Sequence, residues 1–174
     1  MGILKKLTQE YFGNTTREED LIDIHDLNVE IVSFTDNNGK FHKKGYKPKD
    51  RDTLKKLLKR MIEVRGNEGD FNDIDTSDIK DMKLLFQFHI KFNGNITGWN
   101  VSSVRNMRNM FAYATSFNQP IGNWKFPNVK DMNSMFYGAA SFNQDLSKWD
   151  LKGKEKTDMF FNCPIKDEYK PKMK

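Results

Sequence analysis

Three histidines, one cysteine and a run of carboxylates are the residues of this sequence best equipped for chemistry. His25, His42 and His89 stand in unrelated segments without the spacing of metal ligands. Cys163 has no histidine near it, so a packed thiol is expected rather than a nucleophile. The acidic stretch Asp70–Asp81 can be tried as a calcium loop. Begun at Asp70, an EF-hand needs a ligand at Ile74, glycine at Asp75 and glutamate at Asp81, and all three fail. These carboxylates suit the capping of turns and helices instead. There is no P-loop and no G-x-G-x-x-G. The expectation is a non-enzymatic protein with no metal, no cofactor and no small-molecule substrate.

What remains is recognition by surface columns. Lys80, Arg105 and Lys130 recur at one step, followed three residues on by Lys83, Arg108 and Asn133. With neighbouring helices about 9 Å apart, each like-charged pair in water repels by about 0.5 kcal/mol. Such a column is tolerable without a partner, and it also suits an acidic protein surface or a phosphate backbone. Tyr113 and Tyr137 fall near the same helix ends, where a half-exposed ring serves either core or interface.

These columns exist because the sequence repeats. Trp99, Trp124 and Trp149 are 25 residues apart, as are Phe92, Phe117 and Phe142. Phe86, Phe111, Phe136 and Phe161 keep that step, as do Met82, Met107 and Met132, and Ile79, Val104 and Val129. Val104, Met107, Met110 and Phe111 fit one face of a short helix. Asp78, Ser103 and Asn128 precede the three helices as N-caps, and Asp81, Asn106 and Asp131 suit their first turns. Ile96–Val101 and Ile121–Phe126 read as short strands. A strand plus a short helix in 25 residues is the size of a leucine-rich-repeat unit. The predicted fold is therefore α/β, a short right-handed leucine-rich-repeat-like solenoid with Trp, Phe and Met stacked inside. An Asn93, Asn118, Asn143 ladder is expected to serve backbone groups in its turns.

The ends differ from the middle. Residues 1–49 read as an α+β extension: a helix over Ile3–Phe12, then a hairpin of Val29–Phe34 and Lys40–Tyr46 turning at Asn38-Gly39. Residues 50–70 hold a capping helix from Asp52 to about Arg65, with Gly66 as its stop. Its Leu54, Leu57, Leu58, Met61 and Ile62 face the first repeat, and Lys55, Lys56, Lys59 and Arg60 face away. The solenoid spans 71–163 with a decayed fourth unit, and 164–174 is a frayed tail.

Composition bounds the class. Hydrophobic residues are 37% of the chain and charged residues 30%, too apolar for disorder. A net charge of +5, spread along the chain, does not demand nucleic acid. One cysteine excludes an internal disulfide. Gly2 is followed by Lys6 where a myristoylation signal needs Ser or Thr. No secretory leader and no apolar run of about 20 residues is present, so a cytoplasmic chain without membrane contact is expected.

The segments FNGNITGWNVSSVRNMRNMF, FNQPIGNWKFPNVKDMNSMF and FNQDLSKWDL, with the lead-in LKKLLKRMIEVRGNEGDFNDIDTSDIKDM, resemble the BspA-type leucine-rich repeats of bacterial surface proteins and mycoplasma-type lipoproteins. The resemblance covers about residues 50–163 and implies the same repeat fold, with adhesion or partner binding as its use. The function expected is protein–protein interaction, as an intracellular inhibitor or adaptor. The alternatives are a nucleic-acid binder using the basic column, and a surface adhesin.

Overall fold

The computed structural model describes residues 22–172, so the helix expected over Ile3–Phe12 lies outside the described residues. The chain opens with strands β1 (Val29–Thr35) and β2 (Phe41–Pro48), then helix α1 (Arg51–Arg65), and ends near a 3₁₀ turn at Asp167–Tyr169. β1 and β2 form one antiparallel hairpin. Its loop closes on Asp36, whose carboxylate accepts the Asn38 and Lys40 N–H groups, each at 2.9 Å, with Gly39 at φ 84°. α1 starts one turn-edge earlier than its sequence implies: Asp50, not Asp52, caps it by accepting from Thr53 N–H at 2.8 Å. Gly66, at φ 79°, ends it by donating to Ile62 O. Leu54, Leu57, Leu58 and Met61 are buried against the first repeat.

The expected α/β solenoid of strand-plus-helix units does not form. The described residues contain one helix longer than a single turn and one two-stranded open sheet, and the repeat region is built of turns. The segment expected to be helical around Val104–Phe111 shows why. Met107 O accepts from Met110 N–H at 3.1 Å, and Phe111 O accepts from Ala114 N–H at 3.0 Å. The third residue of each turn, Asn109 and Tyr113, is left-handed at φ 54° and 58°. One left-handed residue in each turn stops a right-handed helix from propagating. The same pair recurs at Leu84 and Phe88, at Ser134 and Gly138, and at Asp158 and Asn162. Tandem turns place an inward residue every three or four positions, which is also the helical spacing.

N–H groups that a helix would satisfy internally are free to pair between units. Met107, Asn109, Phe111 and Tyr113 donate to Asp131, Asn133, Met135 and Tyr137 O at 2.8–3.0 Å. Asp81, Asn106 and Asp131 cap turns, not helices: each side chain accepts the N–H two residues on at 2.9 Å. They also meet as single parallel bridges continuing to Glu155. The expected strands Ile96–Val101 and Ile121–Phe126 are turns as well, with Trp99 and Trp124 N–H donating to Ile96 and Ile121 O at 3.1 Å.

Aromatic rings fill the interior. Phe86, Phe111, Phe136 and Phe160 stack with centroids 5.4, 5.5 and 5.6 Å apart. Phe92, Phe117 and Phe142 run beside them, each 4.0–4.2 Å from its partner ring in the first column. Phe160 replaces Phe161 in this column because the fourth unit has lost one residue: Glu155 pairs with Asp131 after 24 positions, where Asp131 follows Asn106 by 25.

An asparagine column crosses the turns. Asn93, Asn118 and Asn143 Oδ1 accept the N–H of Asn118, Asn143 and Lys166 at 2.9, 2.9 and 3.0 Å. Asn118 Oδ1 also accepts from Gln144 Nε2 at 3.0 Å. Asn118→Ala is expected to cost about 1–3 kcal/mol by stranding these donors, whereas Asn118→Asp keeps an acceptor and is expected to cost clearly less. Urea denaturation of both variants checks the order. The segment after Pro164 is not frayed within the described residues: Ile165 and Pro171 are buried, and Leu146 N–H donates to Tyr169 O at 2.9 Å.

Candidate functional site

Each unit turns outward at three positions four residues apart. In the first they are Lys80, Leu84 and Phe88, all exposed. In the second they are Arg105, Asn109 and Tyr113, and in the third Lys130, Ser134 and the pair Tyr137-Gly138. Inward Met82 and Phe86 alternate with Leu84 and Phe88. The result is one face with a basic edge, a left-handed middle column and an aromatic edge.

At the basic edge, Arg105 N–H donates to Lys80 O at 2.8 Å and Lys130 N–H to Arg105 O at 3.0 Å. The cationic residues thus stand at hydrogen-bonded backbone spacing, about 4.8 Å, closer than neighbouring helices would hold them. Repulsion between adjacent charges approaches about 1 kcal/mol in water at that distance unless the side chains splay. Among the described residues none of the three has a carboxylate within ion-pair distance. Lys83 differs, with Nζ 3.7 Å from Asp81. Arg108 is exposed. Asn133 is used internally, donating to Glu155 Oε2 at 3.0 Å and accepting from Thr157 N–H at 2.7 Å.

At the aromatic edge, Tyr113 and Tyr137 belong to a column of four rings. Phe88 stacks on Tyr113 at 5.2 Å, Tyr137 tilts against Tyr113 at 5.4 Å, and Phe161 stacks on Tyr137 at 4.9 Å. Phe88 is 62% exposed, Tyr113 41% and Phe161 51%. Ile90 adds a further exposed apolar side chain. Phe88 and Tyr113 are themselves the left-handed residues of their turns, a conformation costing about 1–2 kcal/mol for a side chain larger than glycine. In the third unit the left-handed residue is Gly138, where a Cβ would lie 2.7 Å from the Tyr113 ring. Glycine leaves that space to Tyr113, and the aromatic moves to Tyr137. The Tyr137 phenol is raised above its ordinary value, first by desolvation and then by the neighbouring Tyr113.

Phe88 and Phe161 were hidden from sequence reasoning because the column steps are 25, 24 and 24, not a constant period. Tyr137 and Phe161 each stand one residue before the left-handed Gly138 and Asn162, whereas Phe88 and Tyr113 are themselves left-handed.

The other reactive side chains are held in structural roles. Burial pushes the Cys163 thiol up, and its Sγ donates to Phe142 O at 3.5 Å. Burial, aided by the Lys55 charge, lowers His89. His42 Nε2 donates to the buried Asp36 carboxylate at 3.0 Å. No group of three or more metal-ligating side chains occurs among the described residues, and no helix there is long and apolar enough to cross a membrane.

A family model described as Mycoplasma protein of unknown function, DUF285, matches residues 53–170. No curated protein and no solved structure matches the chain.

Proposed function

Because the chain belongs to the DUF285 family, whose description assigns no activity, we propose a function from its surface: a non-enzymatic module that docks a protein partner on the turn-built face. The observation carrying this reading is the column Phe88, Tyr113, Tyr137 and Phe161, in which Tyr137 is half-buried and the other three rings are exposed. Soluble proteins tend to cover contiguous apolar surface, and aromatic side chains supply most interface hot spots. Two rings of the column hold a conformation that opposes folding, a cost found where surrounding structure serves a site. The adjacent Lys80, Arg105 and Lys130 favour a partner with acidic side chains beside an apolar ridge.

Nucleic acid is the competing reading, since basic and aromatic columns together also bind single strands. The ring spacing weighs against it. These rings already pack on one another at 4.9–5.4 Å, two pairs stacked and one tilted, so their inner faces are not open to a base.

The test begins with the full chain as bait in nuclease-treated lysate. Affinity for a captured, purified protein is then measured with the double variant Phe88→Ala/Tyr113→Ala and with Lys80→Glu/Arg105→Glu/Lys130→Glu. The aromatic variant is expected to weaken binding by about 30-fold or more, the size of a hot-spot loss. The charge variant should slow association and remove its salt dependence. Equal affinity for all three proteins, or capture that disappears with nuclease, would overturn the reading.

A further inference from the structure

A second surface, outside the aromatic column, carries four lysines against one carboxylate. Residues 124–127 and 148–154 border a hollow of about 510 Å³, within the range of small-molecule sites. Trp124, Phe126 and Trp149 line it, and Lys125, Lys148, Lys152 and Lys154 surround them. Asp150 is the one carboxylate in the lining, and it already accepts from Lys152 N–H at 2.9 Å. Lys154 Nζ donates to Val129 O at 2.9 Å and lies 5.6 Å over the Phe126 ring. Asp145 is lowered first by its Ser147 hydrogen bonds and in smaller part by Lys148. No carboxylate lies within ion-pair distance of any of the four lysines among the described residues.

The two indoles of this edge also differ from that of the first unit. Trp99 Nε1 donates to Phe71 O at 3.0 Å. The Trp124 and Trp149 indole nitrogens are buried and find no acceptor among the described residues. A stranded buried donor costs about 1–3 kcal/mol and calls for an explanation. The first unit supplies a comparison. There the hairpin loop covers the corresponding edge: Asn37 N–H donates to Gly98 O at 2.8 Å, and Asn38 Nδ2 to Thr97 Oγ1 at 2.9 Å. The Asp36 carboxylate lies 2.7 Å from where a Gly98 Cβ would be. One repeat on, this position is Asn123, and two repeats on it is Lys148. So the first unit has an anion laid against its edge by its own chain, while the third presents lysine to an open hollow.

We propose that the hollow between Trp124 and Trp149 binds a small phosphate-class oxyanion, with Lys125, Lys148 and Lys152 supplying charge and the two indole rings forming part of its walls. Lysine binds phosphate as a point charge, and aromatic walls suit a ligand that carries an organic group beside it. This site is independent of the protein-docking face.

The three indole N–H resonances of the full chain, read by ¹⁵N–¹H NMR, give the test its internal control. Inorganic phosphate and phenyl phosphate are titrated separately at constant ionic strength, with chloride as the blank. Saturable shifts of Trp124 and Trp149, with Trp99 unmoved, are expected for at least one of the two. Saturation by phosphate itself assigns a free anion, and saturation by phenyl phosphate alone assigns an organic ester. Lys148→Glu/Lys152→Glu should weaken the response about tenfold or more, with the unmoved Trp99 resonance reporting intact folding. Shifts matched by chloride, three indoles moving together, or a variant that titrates like the parent would each overturn the site.

Discussion

Phe111→Ala is expected to lower stability by about 3–5 kcal/mol, the cost of emptying a well-packed aromatic site. Phe111 is fully buried and sits at the crossing of both interior columns. It stacks on Phe86 and Phe136 at 5.4 and 5.5 Å, on Phe117 at 4.0 Å, and lies 6.4 Å from Trp124. The backbone around it cannot collapse into the gap, because Phe111 N–H and its neighbours are hydrogen-bonded to the next unit. A loss of this size approaches the whole stability of a marginal domain, about 5–15 kcal/mol. Phe160→Ala is the control: its ring is half-buried and stacks on Phe136 alone at 5.6 Å. It should cost clearly less. Urea denaturation followed by tryptophan fluorescence measures both, and equal losses would mean that the interior is not packed as one continuous stack.

Asp73→Ala is expected to cost about 2–4 kcal/mol, somewhat below the range for breaking a fully buried ion pair. Arg65 donates to both Asp73 carboxylate oxygens at 2.7 Å and to Asp70 O at 2.7 Å, with side chains only 11% and 19% exposed. Removing the carboxylate takes two charge-assisted hydrogen bonds from a guanidinium that is only 11% exposed. The position also joins three parts of the molecule. Arg65 ends α1, Asp73 opens the repeats, and Asp73 O accepts from Tyr46 N–H of β2 at 2.8 Å. Hydrogen exchange at Tyr46 should therefore accelerate along with the fall in urea midpoint. Arg65→Met/Asp73→Leu removes the pair together and should recover much of the loss. If the double variant is no more stable than Asp73→Ala, charge desolvation is not the cause.

Much of the interior was legible because burial is selected one side chain at a time. Trp, Phe and Met recurring every 25 residues announced inward columns, and these residues are buried except Phe161, whose place Phe160 takes. Asn93, Asn118 and Asn143 were readable as internal acceptors because an amide can satisfy a turn that backbone groups cannot. The local conformation was not legible. An inward residue every three or four positions describes a helix and a pair of tandem turns equally well. The deciding left-handed residues include Leu84, Phe88 and Tyr113, types that carry no propensity for that conformation.

The candidate face divides the same way. Lys80, Arg105 and Lys130 were visible as a charged column, and Tyr113 and Tyr137 as half-exposed rings. Their union with Phe88 and Phe161 depended on Tyr137 standing one residue before the left-handed Gly138 and on the fourth unit being one residue short. Asn133 looked like a surface group, yet contacts with Glu155 and Thr157 absorb it.

By itself, then, the sequence determined which side chains face inward and that successive units must share them, because a single unit cannot bury its own apolar residues. Only the tertiary structure decided that turns replace strand and helix. Left-handed residues are strained alone and become affordable when each freed N–H finds a carbonyl in the next unit.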